Sequence, residues 1–182
     1  MIEAFDYAVL EVFQRIHTDF LTVLFRVFTF IGEGGAIWII LGMILLARKD
    51  KRKYGVIVLL SLILCLIFVN GVLKHAVVRP RPCWRHSEIE MLISVPTDFS
   101  FPSGHTASSL AAAVSVTYWN RRYGIAAIVL ACSIAASRLY FFVHYPTDIL
   151  AGAICGSLMA VLSIVIVEAV LANKRKRKYC LW

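Results

Sequence analysis

Apolar positions in this chain fall in long runs, at residues 31–47, 56–73, 105–119, 124–143 and 149–172, parted by short loops or basic turns. A helix needs about 20 such residues to cross a hydrocarbon layer roughly 30 Å thick, and these runs meet or approach that length. They predict an all-α, polytopic transmembrane bundle with five spans. Residues 3–30 read differently, because Glu3, Asp6, Glu11, Arg15, Asp19 and Arg26 interrupt a helical pattern carried by Phe5, Leu10, Phe13, Phe20 and Phe25. An amphipathic helix in the headgroup layer and a sixth, bundle-facing span both fit that segment. One long loop, residues 82–104, mixes Trp84, Met91, Leu92, Ile93, Phe99 and Phe101 with Glu88, Glu90 and Asp98, and is expected to rest on the lipid surface. Gly152 and Gly156 have the spacing that lets two helices approach closely, a packing feature. With no internal repeat, residues 1–182 read as a single membrane-embedded domain: residues 1–30 form its first helix and residues 174–182 a basic tail.

Composition agrees with the pattern. Of 182 residues 60% are hydrophobic and only 16% charged, which a water-soluble domain does not sustain. The net charge of +8 is gathered beside apolar runs instead of spread over a polar surface, so nucleic acid is not an expected partner. Under the positive-inside rule the clusters at residues 48–53, 121–122 and 174–178 are cytoplasmic, facing anionic lipid. Cys65, Cys132 and Cys155 lie inside apolar runs and no CxxC pair exists, so no disulfide framework is expected. Cys180 is one residue short of a prenylation box, and the acidic N-terminus does not resemble a removable signal.

Those cytoplasmic clusters fix the direction of each run. The second travels outward to Lys74, the third inward from His105, and the fourth outward to His144, so three helix ends meet at the outer face of the cell membrane. Lys74, Arg79, Arg81, His105, Arg138, His144 and Asp148 all fall there, on the side where topology signals should be scarce. Several fixed cations converging on one point suit a phosphoryl group, whose oxygens pair with the planar guanidinium fork. The segment FPSGHTASS places Ser103 and Gly104 at the start of an inward helix, whose free amides would add to an anion site. His144 is the better nucleophile, because Asp148 lies four residues on and can hold one ring nitrogen while the other attacks; His105 is placed as proton donor. A metal held by His105, His144 and Asp148 is the competing reading, disfavoured because the neighbouring cations would repel a dication. No cofactor is therefore expected. His17, His75 and His86 have no comparable partners and read as structural.

With these residues the chain resembles the type 2 phosphatidic acid phosphatase superfamily. KHAVVRPRP matches its first motif at Lys74, Arg81 and Pro82, FPSGH the second at Ser103, Gly104 and His105, and SRLYFFVHYPTD the third at Ser137, Arg138, His144 and Asp148. The resemblance implies a six-helix membrane fold shared in part with soluble acid phosphatases and vanadium haloperoxidases. It also implies that His144 forms a phosphoenzyme with Asp148 orienting it, and that His105 protonates the leaving group and later activates water. Lys74, Arg81, Ser103, Gly104 and Arg138 would hold the phosphate.

The substrate implied is a membrane lipid phosphate. Undecaprenyl diphosphate fits an outward-facing site and a compact chain; phosphatidylglycerol phosphate or phosphatidic acid is the alternative. From another class, a small lipid transporter or flippase fits less well, because the charges sit at helix ends near one surface and not at the midplane. The sequence does not specify an oligomeric state.

Overall fold

The computed structural model describes residues 1–86 and 88–179, without the side chains at 175 and 177–179; Cys180 and the end of the basic tail lie outside the described residues. Every helix and connection there fits an all-α chain: α1 (Ile2–Arg15), α2 (Asp19–Ile31), a 3-10 turn (Glu33–Gly35), α3 (Ala36–Ala47) and α4 (Arg52–Cys65) come first. A π-helical segment (Leu66–Leu73) then runs into α5 (Lys74–Val77), followed by α6 (Pro82–Arg85), α7 (Gly104–Trp119), α8 (Arg121–Tyr140) and α9 (Pro146–Tyr179). Three helical runs are long and apolar enough to cross a membrane, Arg52–Arg85, Arg121–Tyr140 and Pro146–Lys174. The pair α2 and α3, bent by 42° at its break, makes a fourth if it is one span. At 16 residues, α7 rises about 24 Å, less than the hydrocarbon thickness.

The run expected as one helix at 31–47 is divided. Gly34 and Gly35 sit at φ 57° and 70°, a region that side chains with a Cβ rarely adopt, and the chain turns there before α3 begins. With 12 residues, α3 rises about 18 Å and does not cross alone. Residues 3–30 are likewise two helices. Thr18 ends the break between them by capping α2, its hydroxyl accepting from the Leu21 amide. The fourth run stops at Tyr140 instead of 143, because Phe142 turns at φ 56°.

At the centre lies α7, packed against α8, α9 and α4. Its buried face is built of small residues, among them Ala107, Ala111, Ala112 and Ser115, which bring neighbouring backbones close. A Cβ at Gly156 would lie 2.2 Å from the Ala107 carbonyl oxygen, and one at Gly152 2.6 Å from that of Ser103. The glycine pair therefore seats α9 directly on the α7 backbone, which fixes Asp148 relative to Ser103. Trp38, Val58, Val116 and Ile134 fill the core at the other side of α7.

Candidate active site

The first cation is placed by the π-helical segment, which shifts the helix register just before Lys74. Val78 then adopts φ 52°, an outlier for a β-branched residue, and ends the helix three residues before Arg81. Both cations are buried. Arg81 is fixed along its whole fork: Nε donates to the Asp98 carbonyl at 2.7 Å, one terminal nitrogen to the Val143 carbonyl at 2.7 Å, and the other to Asp98 Oδ1 at 2.6 Å.

The second motif forms the start of α7. Ser103 is fully buried and caps the helix, accepting from the Thr106 hydroxyl at 3.0 Å, while its own amide donates to the Asp148 carbonyl at 3.1 Å. Gly104 approaches the Asn70 carboxamide so closely that a Cβ would lie 2.7 Å from its oxygen. His105 lines the same cavity, and its Nε2 lies 3.4 Å from Glu33 Oε2 without hydrogen-bond geometry.

The third motif supplies Arg138 and His144 across the turn at Phe142. Arg138 is buried and donates to the Thr29 hydroxyl, with its Nε left unpaired. His144 is 1% exposed. Its Nε2 sits 3.1 Å from an Arg81 terminal nitrogen, and its Nδ1 faces Ser100 Oγ and Asp148 Oδ2, each at 3.5 Å. Burial, joined by Arg81 and Arg138 and opposed by Asp148, holds the ring below the ordinary imidazole pKa, so it is neutral at neutral pH, with its unprotonated Nε2 accepting from Arg81. Asp148 accepts from Arg79 at 2.6 Å, from the Tyr145 amide at 2.8 Å and from the Ser100 hydroxyl.

Lys74, Arg81, Gly104, His105, Arg138 and His144 all line one cavity of about 950 Å³, which continues between apolar residues including Ile39, Leu62 and Leu66. Ser103 and Asp148 stand behind its wall. Among the described residues no group of three His, Cys, Asp or Glu side chains could hold a metal ion. His17, His75 and His86 do not line the cavity; they contact the Tyr140 carbonyl, the Gly71 carbonyl and Glu88, respectively.

Several participants carry no motif signal. Asp98 reaches from the long loop to pair with both Lys74 and Arg81. Burial would raise its carboxyl, but those two cations outweigh it and hold the pKa at about 2. Asp6, fully buried in α1, accepts from Arg79 at 2.7 Å and from the Thr147 amide at 3.0 Å, so the N-terminal helix is tied to the group that holds Asp148. An acid at the buried face of an amphipathic helix was the available signal for Asp6. Glu33, flanked by glycines, had the signal of a tight turn only.

This arrangement has known counterparts. The chain is 29% identical to an undecaprenyl-diphosphatase of Sulfolobus acidocaldarius, over 85% of this chain and 76% of that protein. It is 35% identical to a decaprenylphosphoryl-5-phosphoribose phosphatase of Mycolicibacterium smegmatis, over 70% of this chain and 68% of the other. The fold matches the crystal structure of Aquifex aeolicus LpxE with a TM-score of 0.77 at 24% identity, covering 87% of this chain and 94% of that one. The sequence profile of the PAP2 superfamily matches residues 54–171, which contain all three motifs. The chain belongs to the PAP2 superfamily and is a membrane hydrolase acting on lipid phosphates.

Proposed function

We propose that the chain hydrolyses undecaprenyl diphosphate to undecaprenyl phosphate through a phosphohistidine, without a metal, at the outer face of the cell membrane. The observation that carries this reading is the placement of neutral His144 beside Arg81, at one wall of a cavity that also presents Lys74, Arg138 and His105. The β-phosphoryl group would lie among Lys74, Arg81, Arg138 and the Gly104 and His105 amides, backed by Ser103. His144 Nε2 attacks phosphorus while Asp148 faces Nδ1. The bond from phosphorus to the leaving oxygen breaks, and His105 supplies a proton to that oxygen where it needs one. Water then attacks phosphorus, giving its proton to His105; the P–N bond breaks and inorganic phosphate leaves.

Two features favour a polyprenyl substrate. The cavity continues beyond the cations between apolar residues including Ile39, Leu62 and Leu66, and two of the relatives are, by their names, an undecaprenyl-diphosphatase and a decaprenylphosphoryl-5-phosphoribose phosphatase. In this reading the chain forms one domain over residues 1–182, with the bent pair of α2 and α3 as one span, α4, α7, α8 and α9 as the others, and the basic tail in the cytoplasm. The test is phosphate release by purified protein in excess chelator, with undecaprenyl diphosphate, phosphatidylglycerol phosphate and phosphatidic acid compared. The first is expected to be turned over best, with chelator changing its rate by less than about twofold. Preference for a glycerolipid would move the assignment to phospholipid metabolism, and loss of activity in chelator would restore the metal reading.

Asp98 adds a prediction. Its carboxylate holds the cations that the phosphate must engage, and with a pKa of about 2 it stays ionised throughout the working range. Substrate must displace it by competition. Asp98→Asn, with a weaker hold on Lys74 and Arg81, is expected to lower KM by roughly 3- to 10-fold and to lower the melting temperature, measured by steady-state kinetics and thermal unfolding.

A further inference from the structure

We infer that Glu33 is a positioning residue for His105: its carboxylate holds the imidazole and supports the charged form that donates the proton. The inference rests on the role of His105 proposed above and concerns a residue that no motif contains.

The turn that carries Glu33 is built around the histidine ring. A Cβ at Gly32 would lie 3.2 Å from His105 Cδ2 and 2.6 Å from Ile134 Cγ2, so the ring edge occupies the space that a side chain would take. Gly34 and Gly35, at φ 57° and 70°, then reverse the chain between α2 and α3. The turn packs on α7 and leaves Glu33 above its first residues. Glu33 Oε2 lies 3.4 Å from His105 Nε2, a buried nitrogen with no hydrogen-bond partner. Among the described residues no other carboxylate is in ion-pair range of His105.

The charge balance gives this contact a purpose. Lys74, Arg81 and Arg138 line the same cavity as His105, and like charges gathered at one site oppose a further proton there. A general acid must nevertheless carry that proton when the leaving oxygen departs. Glu33 supplies the opposing charge on Nε2, leaving Nδ1–H as the donor. As the P–O bond breaks, that proton passes to the leaving oxygen and the ring becomes neutral; the proton of the attacking water restores it. His144 and His105 thus share one design, since His144 Nδ1 lies 3.5 Å from Asp148 Oδ2. The two carboxylates serve opposite ends of the transfer.

Leaving-group chemistry separates this role from a structural one. Departure of an alkoxide from phosphatidic acid needs a proton, whereas 4-nitrophenolate departs without one. Because kcat/KM reports the steps through the first irreversible one, it isolates departure from the later attack by water. Glu33→Gln keeps the size of an exposed side chain and removes its charge. It is expected to lower kcat/KM about 10- to 100-fold with dioctanoyl phosphatidic acid and less than about threefold with 4-nitrophenyl phosphate. His105→Ala, measured in parallel, should show the same asymmetry, and larger. Equal losses on both substrates in Glu33→Gln, or none, would overturn the inference and leave His105 in place if its own variant remains asymmetric. Symmetric losses in His105→Ala would overturn both the proton-donor reading and the inference built on it.

Discussion

Alanine in place of His144 is expected to lower phosphate release by more than about 10⁴-fold with every lipid tested, because it removes the proposed nucleophile and not a binding contact. The protein is expected to remain folded. Arg81 keeps its bonds to the Val143 and Asp98 carbonyls, and Asp148 keeps Arg79, the Tyr145 amide and Ser100. The imidazole's contacts to Ser100 and Asp148 are both at 3.5 Å, and the one shorter bond lost, from Arg81 at 3.1 Å, leaves a guanidinium that is still held by three others. Near-normal melting temperature and elution in detergent, together with lost turnover, would separate chemistry from folding. Turnover within tenfold of the unaltered protein would mean that another group attacks phosphorus.

Arg81→Ala carries the second largest expected effect, a fall in kcat/KM of about 10³-fold. Removal of one preorganised donor to a developing oxyanion costs about 10²- to 10³-fold, and Arg81 stands at the upper end because it is buried beside the attacking nitrogen. Arg81→Lys is expected to recover less than about a tenth of the loss. An ammonium cannot reproduce the three directions in which the guanidinium is tied, to the Asp98 backbone, the Asp98 carboxylate and Val143. Lys74→Ala should cost less, about 10²-fold, since Lys74 acts as a point charge. Steady-state kinetics on the three variants, with vanadate inhibition as a measure of phosphate-site affinity, check this order. Full recovery by lysine would show that charge alone matters there.

The long helices were legible because their determinant is local: unbroken apolar runs with basic ends give both ends of α8 to within about three residues and the starts of α4 and α9 to within about four. The proposed phosphate ligands were legible for a related reason, since cations and histidines at the ends of apolar helices have few alternative uses. What escaped was set by backbone torsions and long-range contacts. The run at 31–47 has the composition of one helix, and only the left-handed pair Gly34 and Gly35 divides it. A glycine pair in an apolar run equally suits close helix packing, as Gly152 and Gly156 do. Asp98 lies 24 residues from Lys74 and Asp6 lies 73 from Arg79, so neither partnership has a local signature. The second ring-facing carboxylate, Glu33, could be found only once the bend between α2 and α3 had placed it over His105.

The measurement that tests the account most directly is rapid quenching of the purified protein with ³²P-labelled undecaprenyl diphosphate in chelator, labelled at the terminal phosphate. The account predicts a transient label on the peptide containing His144, stable in alkali and released by acid as a phosphoramidate is, and absent from His144→Ala. No label at any time during turnover, or label at another residue, would contradict the phosphohistidine and with it the assignment of His144.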